Sequence, residues 1–105
     1  RNEVFVPFSG RRFIATKYGK ILNSERKEID TEIIDGEFYI EIDWILGRKK
    51  YRVSLIISVA YGNLSLPDHL IDKVEILYVD NNSSNLTPQN LLTSKRRAQA
   101  LRYYL

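Results

Sequence analysis

Neither cysteine nor methionine occurs among the 105 residues, and histidine and tryptophan occur once each, at His69 and Trp44. The missing thiols exclude a disulfide framework, a cysteine-based zinc site and a thiol nucleophile. No apolar run approaches the ~20 residues of a membrane span, and no basic-then-apolar leader resembles a signal peptide. An intracellular, cytoplasmic protein with no membrane partner is therefore expected. With no initiator Met, the chain is expected to continue upstream of residue 1.

What is present is ordinary globular material. Hydrophobic residues make up 44% and charged residues 28%, which argues against a disordered tail. A chain of 105 residues buries a modest single core. There is no internal repeat, low-complexity stretch or long linker. The expected organisation is one domain over 1–105, with a β-rich segment and a helix in 1–62 and a strand-loop-helix segment in 63–105.

The net charge is only +3, from 16 Lys and Arg against 13 Asp and Glu. Its distribution is more telling. Basic residues gather at Arg11, Arg12, Lys17 and Lys20, at Arg48, Lys49, Lys50 and Arg52, and at Lys95, Arg96, Arg97 and Arg102. Acidic residues fall largely between Glu25 and Asp43 and between Asp68 and Asp80. Such segregation can produce a basic face on a nearly balanced chain, and a basic face is what meets phosphates. On this reading Arg11, Arg12, Arg48, Lys49, Lys50, Arg52, Lys95, Arg96 and Arg102 contact nucleic acid; the alternative is a set of solvated turns and a helix with ordinary surface charge.

The local patterns predict an α+β fold, with small antiparallel sheets and hairpins, a central helix, and a C-terminal strand-loop-helix. Strands are expected at 4–8, 13–16 and 18–22, separated by Pro7, Gly10 and Gly19. Residues 28–34 and 37–45 alternate apolar with polar on either side of Asp35-Gly36, the strongest hairpin signal in the chain. A second turn at 46–49 leads to a strand at 50–53. From Ser54 the apolar positions Leu55, Ile56, Val59 and Ala60 fall at helical spacing, ending at Gly62. A strand is expected at 74–79, and the polar run from Asn81 to Asn85 reads as a loop. Thr87 is a good N-cap and Pro88 suits the first helical position, so a helix is predicted from there toward Tyr104.

Within this frame, the segment 74–91, VEILYVDNNSSNLTPQNL, resembles the core of the HNH (ββα-metal) nucleases, whose first strand ends in Asp/Asn-His-x-Asp-Gly and leads through an asparagine-bearing loop into a helix. An ungapped alignment on Pro88 to Leu91 puts Asp80 on the family's Asp, Asn85 on the first loop Asn and Asn90 on the Asn before Leu. It also puts Tyr78 on the general-base His and Leu77 on the metal-binding carboxylate. The segment 13–23, FIATKYGKILN, resembles the modular element that precedes HNH cores in phage homing endonucleases. The segments 36–42, GEFYIEI, and 50–61, KYRVSLIISVAY, are similar to the intervening progression, with Ser54 where the family has another His. The resemblance spans roughly residues 10 to 92 and implies an HNH-like fold with DNA as partner.

It argues equally against cutting. Hydrolysis of a phosphodiester by this fold needs a base to deprotonate water and an acidic ligand to hold a divalent ion. A phenol with an ordinary pKa near ~10 and a leucine supply neither. The degenerate positions Leu77 and Tyr78 thus imply a nuclease-derived DNA-binding domain without cofactor, acting as repressor, competitor or accessory factor of a phage or mobile element. Tyr78 is expected to fill the vacated cleft, its hydroxyl bonding Asn85, Asn90 or a phosphate.

Other readings stay open. In a divergent Mg²⁺-dependent nuclease, Asp80, Asn85 and His69 would share the work, and Asp80 with Asn85 and Asn90 would form a weak oxygen-rich metal site. Against this, Asn and Asp are common turn and capping residues, and His69 in a loop is ordinary surface. Trp44, Tyr39 and Tyr51 serve either in cross-strand packing or in stacking on unpaired bases. A third class is an interaction module binding a host protein or a second copy of itself, with residues 102–105 as a candidate contact.

Overall fold

The computed structural model describes residues 3–8, 11–44, 47–62 and 75–93. Two three-stranded antiparallel meanders flank one helix. The first joins β1 (Glu3–Phe8), β2 (Arg11–Thr16) and β3 (Ile21–Leu22), with Phe5 opposite Ile14 and Ile14 opposite Leu22. The second joins β4 (Glu32–Ile34), β5 (Glu37–Trp44) and β6 (Gly47–Arg52), with Glu32 opposite Tyr39 and Ile40 opposite Tyr51. The β4–β5 turn is the predicted two-residue one. Asp35 and Gly36 have φ of 50° and 81°, the pair of positive values that matches the twist of a tight hairpin.

The helix α1 (Val53–Ala60) follows β6 without a loop. Its sequence, VSLIISVA, carries no charge, and Val53 through Ser58 are all buried. A helix apolar on nearly all sides must be covered on all sides. It is, by β1 and β2 on one side and β5 and β6 on the other. The helix ends as its sequence indicates, with Gly62 at φ 75° and its N–H donating to the Val59 carbonyl over 3.2 Å. Ile56 and Ile57 are fully shielded, and truncation of either to Ala is worth about 2–5 kcal/mol.

Along β5 the side chains alternate. Ile40 and Ile42 enter the core, while Glu41 and Asp43 face water. Phe13, Ala15 and Ile21 complete the core from the first meander. Ile76, Leu86 and Leu91 complete it from the C-terminal part.

That part differs from the predicted strand-loop-helix. Of the expected strand 74–79, β7 comprises Leu77–Tyr78, and Val74 lies outside the described residues. Thr87 does stand at an N-cap and Pro88 does open a helical turn, but the turn is a single 3-10 one, Pro88–Asn90. Leu91–Leu92 then forms β8, antiparallel to β7, with Tyr78 opposite Leu91 and Leu77 opposite Leu92. Leu91 is fully buried, and the ladder to β7 together with that burial outweighs the local start signal. Residues 94–105, and with them most of the predicted helix, lie outside the described residues. Tyr18 sits on the β2–β3 turn rather than in a strand, and β4 begins at Glu32 rather than at residue 28. The chain as described is α+β.

Candidate functional site

The loop between β7 and β8 is built on one carboxylate. Asp80 Oδ1 accepts from the Asn82 backbone N–H at 2.8 Å and from Asn90 Nδ2 at 2.9 Å. Its Oδ2 accepts from Asn85 Nδ2 at 2.9 Å. The network closes on itself. Asn90 Oδ1 accepts the Asp80 N–H at 3.0 Å, Asn90 Nδ2 also donates to the Asn85 carbonyl at 2.8 Å, and Asn85 Oδ1 accepts the Thr87 hydroxyl at 2.8 Å. The donors of Asn85, Asn82 and Asn90 hold the Asp80 carboxyl below its usual pKa. Asn81, at φ 60°, takes the left-handed conformation that Asn tolerates better than most residues.

Two turns from the meanders fix this loop in place. Gly19, at φ 81°, lies against the Leu86 backbone so closely that a Cβ there would come within 2.6 Å of the Leu86 carbonyl carbon and oxygen. The Ser83 hydroxyl donates to the Gly36 carbonyl at 2.6 Å. Three sequence-distant turns thus share one side of the molecule.

Tyr78 points inward from β7, half-buried against the core. Its hydroxyl donates to Glu37 Oε1 at 3.1 Å, not to Asn85 or Asn90 as predicted. The two asparagines are occupied with Asp80, and the pleat of β7 turns the phenol away from them toward the start of β5. Burial is the main cause that raises the Tyr78 pKa, and the Glu37 carboxylate raises it further. Ser54 and Arg52 act in the opposite direction. The Ser54 hydroxyl is thus close enough to the phenol to draw its pKa down. It forms no hydrogen bond of standard geometry, being 1% exposed and unpaired. Leu77 points outward and is 40% exposed. The resemblance put Tyr78 and Ser54 on two histidine positions, and the fold brings these two residues together. Glu37, the third member, carries no sequence signal for this role, since its contact with Tyr78 joins residues 41 positions apart.

The predicted phosphate-contacting residues fall into three groups. Arg48, Lys50 and Arg52 alternate along the exposed face of β6, directly opposite Asp43, Glu41 and Tyr39 of β5. Arg48 pairs with Asp43 at 3.1 Å and Lys50 with Glu32 at 2.9 Å, and that contact with Glu32 raises the Lys50 pKa. Lys49 points to the other face, its ammonium 5.0 Å from the Tyr51 ring centroid. Arg12 is exposed on β2, and the β1–β2 hairpin also carries the Arg11 backbone. Lys95, Arg96 and Arg102, like His69, lie outside the described residues. Tyr51 is buried beside the core, and Tyr39 is half-buried on the opposite face of the sheet.

No protein-family model and no curated protein matches this chain. A solved structure described as DNA binding and cleavage by the HNH homing endonuclease I-HmuI does match, with a TM-score of 0.64 at 11% identity, over 95% of this chain and 57% of that one. The chain therefore has an HNH-like fold and spans little more than half the length of the endonuclease it matches.

Nucleases of this fold type work with a divalent ion, and the described residues around Asp80 do not fit one. A hard cation needs several oxygens aimed at one point. Both oxygens of Asp80 are instead met by N–H donors, whose positive ends repel a cation. Beside it stands a phenol committed to Glu37, with Leu77 facing away. Among the described residues, no three His, Asp or Glu side chains are grouped to hold a metal.

Proposed function

We propose that the chain is a nuclease-derived DNA-binding domain that does not cut, used as a repressor, competitor or accessory factor of the kind a phage or other mobile element encodes. The observation that carries this reading is the Asp80 carboxylate, both of whose oxygens accept from N–H donors of Asn82, Asn85 and Asn90 within an HNH-like fold. The loop is closed by its own amides, and Leu77, which the resemblance puts on the metal-binding carboxylate, has no ligand to offer. Tyr78 supports the same reading. A phenol whose pKa is raised by burial and by Glu37 is a poor base at neutral pH.

Affinity comes from lysine and arginine neutralising phosphates, and sequence reading from side chains that enter a groove. The ion pairs along β6 do not prevent this. Exposed pairs hold little free energy, and a phosphate can displace a carboxylate from Arg48 or Lys50. Replacing Lys49 and Lys50 together by Ala weakens binding across sequences and flattens the dependence of log affinity on log salt by roughly one unit per lost contact.

The deciding assay is incubation of supercoiled plasmid with Mg²⁺, Mn²⁺ or Ni²⁺, alongside salt titration of binding to a duplex. Binding without nicking is the expected result. Nicking that Asp80→Ala abolishes would establish instead a divergent Mg²⁺-dependent nuclease. Absence of salt-dependent DNA binding would leave an interaction module for a host protein or a second copy of the chain.

A further inference from the structure

Among the described residues, Tyr18 is the most exposed large hydrophobic residue, at 69%. It stands at the tip of the β2–β3 turn, and the surroundings are unusual for a surface tyrosine. Its hydroxyl has no hydrogen bond to a described residue, and Lys17 Nζ lies 5.1 Å from the centroid of its ring. Lys17 has no carboxylate within ion-pair distance among the described residues, whereas Lys20 is tied to Glu28 at 3.1 Å. A cation and an aromatic ring are thus offered to solvent side by side, and among the described residues neither is engaged with anything but the other.

The turn that carries them is rigid. The Thr16 N–H donates to the Lys20 carbonyl at 2.9 Å and the Gly19 N–H to the Thr16 carbonyl at 3.1 Å, while Thr16 Oγ1 accepts the Lys20 N–H at 3.1 Å. Gly19 is pressed on the Leu86 backbone. Tyr18 is therefore held out from a fixed base, which lowers the entropy lost when something stacks on it. Beside the ring lies a cavity of about 120 Å³ whose lining includes the polar Lys20, Glu28, Thr31 and Ser84 as well as the apolar Phe38 and Leu86. That is well below the roughly 300 Å³ of a site that encloses a small molecule. It has room for the polar edge of a flat group whose face lies on Tyr18.

We infer that the Lys17–Lys20 turn is a stacking platform for one unpaired nucleobase of single-stranded DNA, with the Lys17 ammonium meeting the adjoining phosphate. This rests on the reading of the chain as DNA-binding and adds a mode of contact to it. In a duplex the base faces are already stacked, so an exposed ring on a rigid turn gains a partner only where the strand is open. Stacking on an aromatic side chain is indifferent to base identity, since every base has a π-face. The contact would therefore favour open DNA without reading its sequence.

The test is fluorescence anisotropy with a labelled twelve-residue oligothymidylate and, in parallel, a mixed-sequence duplex. Tyr18→Ala is expected to weaken oligothymidylate binding about 5- to 150-fold, the equivalent of roughly 1–3 kcal/mol for one stacked base, with duplex binding unchanged. Tyr18→Phe keeps the ring and stays within about twofold of the parent, given that the hydroxyl has no role in stacking. Lys17→Ala lowers the salt slope on the single strand by about 0.7. Equal oligothymidylate affinity for Tyr18→Ala and parent overturns the platform while duplex binding keeps the DNA-binding reading intact. So does a parent protein that binds duplex but not single strand. Failure of the parent on both probes overturns both.

Discussion

Gly19 and Gly36 have the same φ of 81° but different surroundings, and the pair measures how firmly the β7–β8 loop is docked. A Cβ at Gly36 meets nothing within 4 Å, whereas one at Gly19 falls 2.6 Å from the carbonyl carbon, oxygen and Cβ of Leu86. Alanine at Gly36 carries the cost of the left-handed conformation alone, about 1–2 kcal/mol. At Gly19 the same cost applies, and backbone must also separate from backbone, which in tightly packed sites adds about 1–3 kcal/mol. The expected losses are thus roughly 1–2 kcal/mol for Gly36→Ala and 2–5 kcal/mol for Gly19→Ala. At about 4–8 °C per kcal/mol for a domain near this size, Gly36→Ala melts around 5–15 °C below the parent, and Gly19→Ala at least 5–10 °C lower again. Thermal unfolding followed by circular dichroism reads both. Equal melting temperatures for the two variants would refute the contact between the turn and Leu86, and with it the fixed base of Tyr18.

Other expectations concern the polar groups. The raised Tyr78 pKa means that the folded state holds the phenolic proton more tightly than the unfolded chain; the associated stability is present below about pH 10 and is lost as pH rises through the folded-state value, so Tyr78→Phe should show a flatter melting temperature between pH 9 and pH 11. Asp80 has the opposite sign. Its lowered pKa gives stability that is present above about pH 4 and lost as pH falls through the folded-state value, so Asp80→Asn should melt below the parent at pH 7 and converge with it in acid. At Ser54, a histidine beside an intact Tyr78 should overpack the site by about 1–3 kcal/mol, and Tyr78→His should relieve part of that loss, giving a coupling in a double-mutant cycle of about 0.5 kcal/mol or more.

Signals carried by adjacent residues were legible in the sequence. Asp35-Gly36 specified its hairpin because only residues that tolerate positive φ fit both central positions. The charge-free run from Val53 to Ala60 marked a buried helix because no other placement removes so many apolar side chains from water. Thr87 and Pro88 misled for the converse reason. A start signal specifies one turn, and the conformation of the next residues depends on their partners; Leu91 and Leu92 found theirs in β7. The acidic partners of β6 were legible but unread. Once the hairpins are drawn, Asp43 must face Arg48 and Glu41 must face Lys50, and the charge segregation seen along the chain is undone across the sheet. Tyr18 reads in the sequence as the first residue of a strand 18–22, because an aromatic before the apolar Ile21 and Leu22 favours a strand, whereas the turn takes up Lys17 to Lys20.

The contact between Ser54 and Tyr78 lay beyond sequence reasoning, and it changes how the two positions are understood. The resemblance puts each of them on a histidine position of the HNH family. Ser54 on α1 is smaller than histidine and buried, and Tyr78 on β7 is larger and half-buried against the same core. The phenol then needs an acceptor, and Glu37 at the start of β5 supplies it, while the Ser54 hydroxyl stays buried and unpaired. A buried hydroxyl without a well-aligned partner costs up to about 1–3 kcal/mol, a cost that alanine at the same position would avoid.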